Sequence, residues 1–197
     1  MFQLDINADL DLRLLTEAHS QILFDLIERN RMYLRAWLPW VDSTRTLEDV
    51  RRMLRFGLRQ HARSSGMNAG IWHRNQLVGV VSYNYIDVPR GITEIGYWLD
   101  EAHQGYGIMT AACRSMVTYA FDWLALTRVE IRCAVHNTRS RAIPERLGFV
   151  DQGIAPQLDW TADHYVETVV YSMTAADWQL QEGEALDGSE NRRRWQF

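Results

Sequence analysis

Two hydrophobic periods alternate along the chain, and their order predicts a mixed structure of strands and helices. Residues 10–15 (LDLRLL) alternate with period two, which predicts a strand. Apolar positions then recur with helical spacing after Thr16 and again after Thr46. Thr46 and Asp49 have the spacing of a capping box, with Asp where Glu or Gln is usual. The pattern therefore predicts one strand followed by two amphipathic helices.

The middle of the chain alternates strands with one strongly apolar helix. Residues 67–73 and 76–86 are strand-like and separated by a short polar turn, so they predict a hairpin. A third strand is expected over 92–99. Residues 107–124 give the clearest helical pattern, with one apolar face and a polar stripe at i+4 spacing. A cleanly alternating strand over 128–135 follows that helix.

The last elements are a short helix and two strands. The helix ends at Gly148, a favourable residue after a helix C-terminus, and strands are expected over about 149–158 and 164–173. Pro144 lies inside this helix, where it removes a backbone donor and crowds the preceding turn, so we expect a distorted first turn. The element order β-α-α-β-β-β-α-β-α-β-β indicates a mixed α/β sheet and not a doubly wound parallel one.

The length and composition predict a single soluble, globular domain. Its 197 residues are 47% hydrophobic and 23% charged, and we assign 1–180 to a single domain. After Trp178 the sequence becomes polar, which predicts a flexible tail over 181–197, or alternatively a segment that docks on a partner through Trp195 and Phe197. No secretory signal or apolar run of about 20 residues is present, so we expect a cytoplasmic protein without a membrane span.

The net charge and the placement of Cys and His argue against two further classes, a nucleic-acid binder and a metalloprotein. A net charge of −4, from 21 basic and 25 acidic residues, argues against a nucleic-acid binder. Cys113 and Cys133 have no metal-ligand spacing and lie in apolar patterns, so we interpret them as reduced core residues. The histidines are scattered without an HxxxH pair, so no metal site is predicted.

The strongest chemical signal is the junction of the strand over 92–99 with the clearest helix. The connecting loop contains Gly105 and Gly107, and a helix N-terminus after such a loop offers free N–H groups and a positive dipole end to a phosphate. An ordinary glycine turn before a helix is the alternative. Gly96 inside the strand favours the ligand site, because a glycine there often marks a bulge or a close backbone approach.

This junction resembles a known family. Residues 104–109 (QGYGIM) resemble the GNAT acetyl-CoA signature Q/R-x-x-G-x-G/A, with Met109 in place of the final Gly or Ala. IGYWLDEAHQGYGIMTAAC and HNTRSRAIPERLGFVDQG are similar to the RimL-like ribosomal-protein N-acetyltransferases, over about residues 5–178. The resemblance implies a GNAT fold whose mostly antiparallel sheet is splayed at the cofactor site. It also implies direct acetyl transfer from acetyl-CoA to an amine, and a homodimer.

The resemblance assigns the cofactor contacts residue by residue. Backbone amides of the loop are expected to hold the pyrophosphate: Gln104, Gly105, Tyr106, Gly107, Ile108, Met109 and Thr110. The strand backbone around Ile95, Tyr97 and Trp98 is expected to line the pantetheine and acetyl group. Asn137 and Ser140 match the family's N-x-x-S and are expected to face the thioester. Arg141 is a weaker candidate for a phosphate contact.

Amine acetylation also needs a polarised carbonyl, a stabilised leaving thiolate and a neutral amine. We expect the backbone N–H of Tyr97 or Trp98 to stabilise the oxyanion. Ser140 has a hydroxyl that could donate to the thiolate, although it could equally be a helix-capping hydroxyl. Asp159 and Glu94 are candidates for the base, and water alone is the third possibility.

The acceptor is the least determined part of the prediction. Trp37 and Trp40 lie between the first two helices and form either a small satellite core or, with Tyr33 nearby, an aromatic lid over the acceptor. The leading hypothesis is an acceptor that is a protein N-terminal amine, such as that of a ribosomal protein. Two alternatives are a small-molecule amine (a polyamine, antibiotic or toxin) and a non-catalytic acyl-CoA-binding module.

Overall fold

The computed structural model describes residues 2–156, 159–161 and 164–183. The strands are β1 (Gln3–Asn7), β2 (Leu10–Leu14), β3 (Met67–His73), β4 (Gln76–Asp87), β5 (Ile92–Leu99), β6 (Arg128–Ala134), β7 (Val150–Ile154), β8 (Asp159–Thr161), β9 (His164–Val166) and β10 (Thr168–Thr174). The helices are α1 (Ser20–Leu34), α2 (Leu47–Ala62), α3 (Ile108–Asp122) and α4 (Thr138–Arg146), and a further helical segment covers 175–183. Within these residues, no helix is both long and apolar enough to cross a bilayer.

Eight strands form one sheet in the order β1-β2-β3-β4-β5-β6-β10-β7, while β8 and β9 pair with each other in a second, two-stranded sheet. All neighbours in the large sheet are antiparallel except β5 and β6, which are parallel. A parallel pair needs a crossover connection, and α3 supplies it. The predicted mixed, mostly antiparallel sheet is confirmed.

The parallel pair separates part-way along its length. Pairing of β5 with β6 begins at Ile92 and ends where Ile95 lies opposite Ile131. The rest of β5 pairs only with β4, and the rest of β6 pairs only with β10. The sheet therefore opens into a wedge-shaped gap that is closed at Ile95 and wide at the carboxyl ends of both strands.

Apolar side chains cover both faces of the sheet, but different helices bury them. On one face, α3 packs residues such as Met116 against Ile95 and Ile131 at the closed end of the gap. On the other face, α1 and α2 pack residues such as Leu26 against Val80. Each fully buried aliphatic side chain contributes roughly 1.5–3 kcal/mol of hydrophobic stabilisation. On this face α1 packs mainly on β4 and α2 on β3, while Gly96 of β5 and Arg132 of β6 line a cleft.

Most predicted elements agree with the structure. The capping box of α2 is present, since Thr46 Oγ1 accepts from the Asp49 N–H at 3.2 Å and Asp49 Oδ2 accepts from the Thr46 N–H at 2.9 Å. The hairpin turn holds Arg74 and Asn75 at positive φ, 49° and 61°. Strand β1 was not predicted, and the two predicted final strands are instead four shorter ones, β7 to β10.

Candidate active site

The loop that links β5 to α3 has the geometry of an anion cradle. Gly105 and Gly107 have φ of 84° and 75°, a region that residues with a Cβ rarely adopt. A Cβ at either glycine would have no described atom within 4 Å, so the loop faces open space. No described side chain caps α3, which leaves the N–H groups of its first turn free for a ligand.

A buried carboxylate fixes the start of this loop. Asp100 Oδ2 accepts from Arg29 Nη2 at 3.1 Å and lies 2.8 Å from His103 Nδ1. The next residue is tied down as well, because the Glu101 N–H donates to Asn30 Oδ1 at 3.0 Å. Burial alone would raise the pKa of Asp100, but hydrogen bonds from Asn30 and His103 and the charge of Arg29 hold this pKa below its ordinary value. Asp100 is therefore a charged anchor between α1 and the loop.

The wedge-shaped gap and this loop form one cleft of about 1200 Å³. Most residues with a predicted cofactor or acceptor role line it: Tyr33, Trp37, Ile95, Tyr97, Trp98, Gln104, Gly105, Gly107, Ile108, Met109, Thr110, Asn137 and Ser140. Met109, the departure from the signature, has its side chain buried in the α3 core. The longer side chain therefore does not fill the loop.

Four candidates lie elsewhere. Tyr106 is 78% exposed, and its backbone alone belongs to the loop. Trp40 packs against Trp98, with ring centroids 6.3 Å apart, and is not among the described residues that line the cleft. Glu94 lies behind the cleft wall, where its carboxylate accepts from Asn84 Nδ2 at 2.7 Å and pairs with Arg132 Nε at 3.1 Å. The side chain of Asp159 lies outside the described part of the structure.

The free edge of β5 offers the backbone of Tyr97 to the cleft. The Asp100 N–H donates to the Val78 carbonyl at 2.7 Å, so the pairs that hydrogen-bond with β4 are those of the even-numbered residues of β5. Hydrogen bonding alternates along an antiparallel ladder, and the N–H and C=O of Tyr97 therefore point toward the gap. Of the two predicted oxyanion donors, this geometry favours Tyr97 over Trp98.

Gly96 has a different role from the bulge that its sequence predicts. The irregularity lies on the neighbouring strand, where Asn84 is the extra residue between Tyr83 and Tyr85. A Cβ on Gly96 would lie 2.6 Å from Asn84 Oδ1. The glycine therefore makes room for the Asn84 side chain, which lines the cleft beside it.

Ser140 lies on the opposite wall of the cleft, in the first turn of α4. Asn137 caps this helix by accepting from the Ser140 N–H at 3.1 Å. The Ser140 hydroxyl is 3.2 Å from Cys133 Sγ and 3.4 Å from Tyr97 Oη. The predicted distortion of the first turn is absent, because the Arg141 N–H donates to the Asn137 carbonyl at 3.0 Å.

Sequence reasoning missed the cations of the cleft. Arg139 and Arg146 line it, and neither forms an ion pair within the described part of the chain. Arg146 donates to Thr110 Oγ1 at 3.0 Å, and Arg139 donates to Gln104 Oε1 at 2.8 Å, so both reach the anion cradle. Their spacing of seven residues on a helix was the available signal. Arg141, the predicted candidate, points away and donates to Tyr171 Oη at 2.8 Å.

Comparison with known proteins agrees with this geometry. The family model described as Acetyltransferase (GNAT) domain matches residues 9–150. YdaF of Bacillus subtilis (strain 168) is 35% identical over 180 residues, which is 91% of this chain and 98% of that protein. The ribosomal-protein-serine acetyltransferase of Escherichia coli (strain K12) is 31% identical over 85% of this chain and 93% of its own length. The structure of RimL, a ribosomal L7/L12 alpha-N-protein acetyltransferase in complex with coenzyme A, has a TM-score of 0.86 at 28% identity and covers 90% of this chain and 99% of its own.

The split sheet, the anion cradle and the unpaired arginines define a transferase that binds an acyl-CoA. The chain belongs to the GNAT acetyltransferase family. It is an acetyl-CoA-dependent N-acetyltransferase, and acetyl-CoA is its co-substrate. The residues present fit that co-substrate, because the cradle and two unpaired arginines suit its phosphates and the edge of β5 suits an extended arm. Among the described residues, no group of three or more His, Cys, Asp or Glu could hold a metal ion.

Proposed function

We propose that this enzyme acetylates the N-terminal amine of a protein, with a ribosomal protein as the leading acceptor class. The observation that carries the proposal is the open side of the wedge-shaped gap. The α3 face is closed by packing against Ile95 and Ile131, so the amine must arrive from the other face. Asn84, Gly96 and Arg132 line that entrance. This entrance joins the cleft close to the backbone N–H of Tyr97, the proposed oxyanion donor.

One backbone group and one side chain at the gap supply two of the three chemical requirements. The backbone N–H of Tyr97 points into the gap and is suited to stabilise the oxyanion of the tetrahedral intermediate. The Ser140 hydroxyl faces it from α4 and is suited to donate a hydrogen bond to the leaving sulfur. Because both groups act on the thioester directly, no covalent enzyme intermediate is needed.

The base remains a prediction. Glu94 keeps its carboxylate between Asn84 and Arg132, one layer behind the entrance, so it would reach the amine only through an intervening water. Asp159 belongs to β8, the strand that follows β7. A third possibility is deprotonation by water alone, which suits the low pKa of an N-terminal amine.

The charge of the cleft favours a protein N-terminus over a polyamine. Four arginines line it, Arg114, Arg132, Arg139 and Arg146, and Glu101 is the one acid among the described lining residues. Arg114 pairs with Glu182 and Arg132 with Glu94, so the argument rests on the scarcity of acids. A polycation would find only one carboxylate in the lining, whereas a peptide brings a single amine to the entrance. The relatives named as ribosomal-protein acetyltransferases support the same choice.

An acceptor panel tests this proposal. Peptides that begin with Ser or Ala and contain an internal lysine are incubated with enzyme and acetyl-CoA, beside spermidine and an aminoglycoside. Mass-spectrometric mapping is expected to find the acetyl group on the α-amine of the peptides, and none on the same peptides with a blocked N-terminus. Faster turnover of spermidine or the aminoglycoside would contradict the proposed acceptor. Binding of acetyl-CoA without turnover of any amine would instead favour the non-catalytic module.

Cytoplasmic location, the absence of a nucleic-acid partner and a homodimer remain predictions from the sequence. Sedimentation of the purified chain tests the homodimer, which is expected to have about twice the 23.0 kDa mass of one chain. A purely monomeric profile would contradict it.

A further inference from the structure

A proline in α4 leaves the Ser140 carbonyl without its helical partner. In a regular helix, the N–H of residue 144 would donate to the carbonyl of residue 140, but Pro144 has no N–H. The phenol of Tyr97 takes that position, since Tyr97 Oη donates to the Ser140 carbonyl at 2.9 Å. The missing donor on one wall of the cleft is therefore replaced by a side chain from the other wall, which ties α4 to β5.

This tie also fixes what the Tyr97 hydroxyl can do. Burial raises the pKa of Tyr97 well above its ordinary value, so the phenol keeps its proton. The phenol donates that proton in its hydrogen bond to the Ser140 carbonyl. Tyr97 Oη can still accept, and two groups lie within reach: the Ser140 hydroxyl at 3.4 Å, a weak hydrogen bond, and Cys133 Sγ at the longer distance of 3.8 Å.

The second neighbour of the Ser140 hydroxyl is a thiol. Cys133 Sγ lies 3.2 Å from Ser140 Oγ, and the Cys133 side chain lines the cleft although it is only 3% exposed. Burial raises the pKa of Cys133, and the hydrogen bonds to Ser140 and Tyr97 only oppose this effect. The group is therefore a thiol with a proton to donate. A thiolate would accept the serine proton and turn it away from the cleft.

We propose that Tyr97 and Cys133 are positioning residues for Ser140. Tyr97 fixes the place of the serine by holding its carbonyl. Cys133 fixes the direction of the serine proton, because an S–H donated to Ser140 Oγ leaves the O–H free to point at the sulfur of the bound thioester. This inference rests on the role of Ser140 in the proposed function, and it adds two side chains to that role.

The chemical step balances with these groups. The amine nitrogen forms a bond to the acetyl carbon, and collapse of the tetrahedral intermediate breaks the carbon–sulfur bond with its electron pair going to sulfur. Ser140 donates a hydrogen bond to that sulfur as the negative charge develops. The amine proton goes to water or to the base, and the thiolate takes a proton from solvent after it leaves. Cys133 and Tyr97 keep their own protons throughout.

A cysteine series tests the direction of the proton. With any amine that the enzyme acetylates, Cys133→Ala is expected to lower kcat about tenfold, the scale of one hydrogen bond, with KM for acetyl-CoA within twofold. Cys133→Ser restores a donor and is expected to recover most of kcat. Cys113→Ala is the matched control, because Cys113 is a fully buried thiol of the α3 core and is not among the described hydrogen-bond partners of Ser140. Its kcat is expected to stay within twofold of wild type.

A double-mutant cycle links the effect to Ser140. If Cys133 acts only through the serine, Cys133→Ala in a Ser140→Ala background is expected to cause no further loss of kcat. Additive losses would overturn the inference, as would an unchanged kcat in Cys133→Ala or a failure of Cys133→Ser to rescue it. Wild-type enzyme without turnover on any amine would instead defeat the proposed function itself, so the two failures are distinguishable.

Replacing Pro144 tests the role of Tyr97, because the expected effects on thermal stability and on kcat have different signs. Pro144→Ala supplies the missing N–H to the Ser140 carbonyl and releases Tyr97. Thermal stability is expected to stay equal or rise, while kcat is expected to fall about tenfold, as in Tyr97→Phe, which removes the same hydrogen bond. If the hydrogen bond from Tyr97 only stabilised the fold, thermal stability and kcat would change in the same direction. Full activity in Pro144→Ala with unchanged stability would overturn the role of Tyr97.

Discussion

At the scale of single residues, Gly96 sets the shape of the entrance through its neighbour. Asn84 occupies the space where a side chain on residue 96 would lie and donates from there to Glu94 at 2.7 Å. A Cβ would displace Asn84 from this hydrogen bond. We therefore expect Gly96→Ala to lower the free energy of unfolding by about 1 kcal/mol in urea titration.

Asn84→Ala removes the obstacle and serves as the control. The double variant Asn84→Ala/Gly96→Ala is expected to be no less stable than Asn84→Ala alone. If Gly96→Ala costs the same with and without the Asn84 side chain, the close approach between these two residues is not the reason for the glycine.

Ser140 carries the sharpest kinetic prediction at this scale. Its hydroxyl is proposed to act on the leaving sulfur and not to hold the co-substrate. Ser140→Ala is expected to lower kcat about 10- to 100-fold, the scale of one hydrogen bond to a charged group, with the Kd for acetyl-CoA from calorimetry unchanged within about threefold. A large loss of affinity at unchanged kcat would show that the hydroxyl binds and does not catalyse.

The limits of sequence reasoning are also visible residue by residue. A glycine loop before a helix has a local meaning, so Gly105 and Gly107 could be singled out from the sequence, and both line the cleft. Ser140 was singled out only through the resemblance to the family's N-x-x-S, and it lines the cleft too. Cys133 was interpreted as core, and it is buried, yet it touches Ser140. That contact depends on how β6 and α4 pack, which no local pattern encodes.

At the scale of elements, one anchor connects α1 to the anion cradle. Asp100 is charged and accepts from Arg29 and His103. Asp100→Asn is expected to lower the free energy of unfolding by about 1–3 kcal/mol near neutral pH, because hydrogen bonds to a charged group are lost. It is also expected to weaken acetyl-CoA binding, since the loop begins at this residue.

The pH dependence of that effect has a defined sign. The pKa of Asp100 is lower in the folded state than in the unfolded chain. Its contribution is therefore complete above the unfolded-state pKa and is lost as the pH falls through the folded-state pKa. The stability difference between wild type and Asp100→Asn, measured by urea unfolding, is expected to shrink in acid. A difference that grows in acid would contradict the charged state of Asp100.

Elements with a strong local period were predictable, and those defined by distant partners were not. Strands β3 and β5 match the predicted ranges because long alternating runs specify them. Strand β1 has only five residues, and it is a strand because β2 pairs with it. The gap between β5 and β6 was implied by family resemblance, but its closed end at Ile95 depends on the register of two strands 36 residues apart in sequence, Ile95 and Ile131.

At the scale of the whole molecule, every basic residue other than histidine is arginine. The chain contains 21 Lys plus Arg residues, and all of them are Arg. Apart from its N-terminus, the enzyme therefore has no amine that could accept an acetyl group. Incubation with acetyl-CoA alone is expected to add at most one acetyl group per chain by intact-protein mass spectrometry. Rapid formation of a second, hydroxylamine-sensitive acetyl group would indicate an acyl-enzyme and contradict direct transfer.

The central claim is that the wedge-shaped gap between β5 and β6 holds acetyl-CoA, with its phosphates in the loop before α3. Hydrogen–deuterium exchange of the full chain, with and without saturating acetyl-CoA, tests it directly. The account predicts slower exchange in peptides that cover residues 97–99 and 104–110, with β1 and β2 unchanged. Unaltered exchange in both of those segments at saturation, or protection confined to another part of the chain, would contradict it.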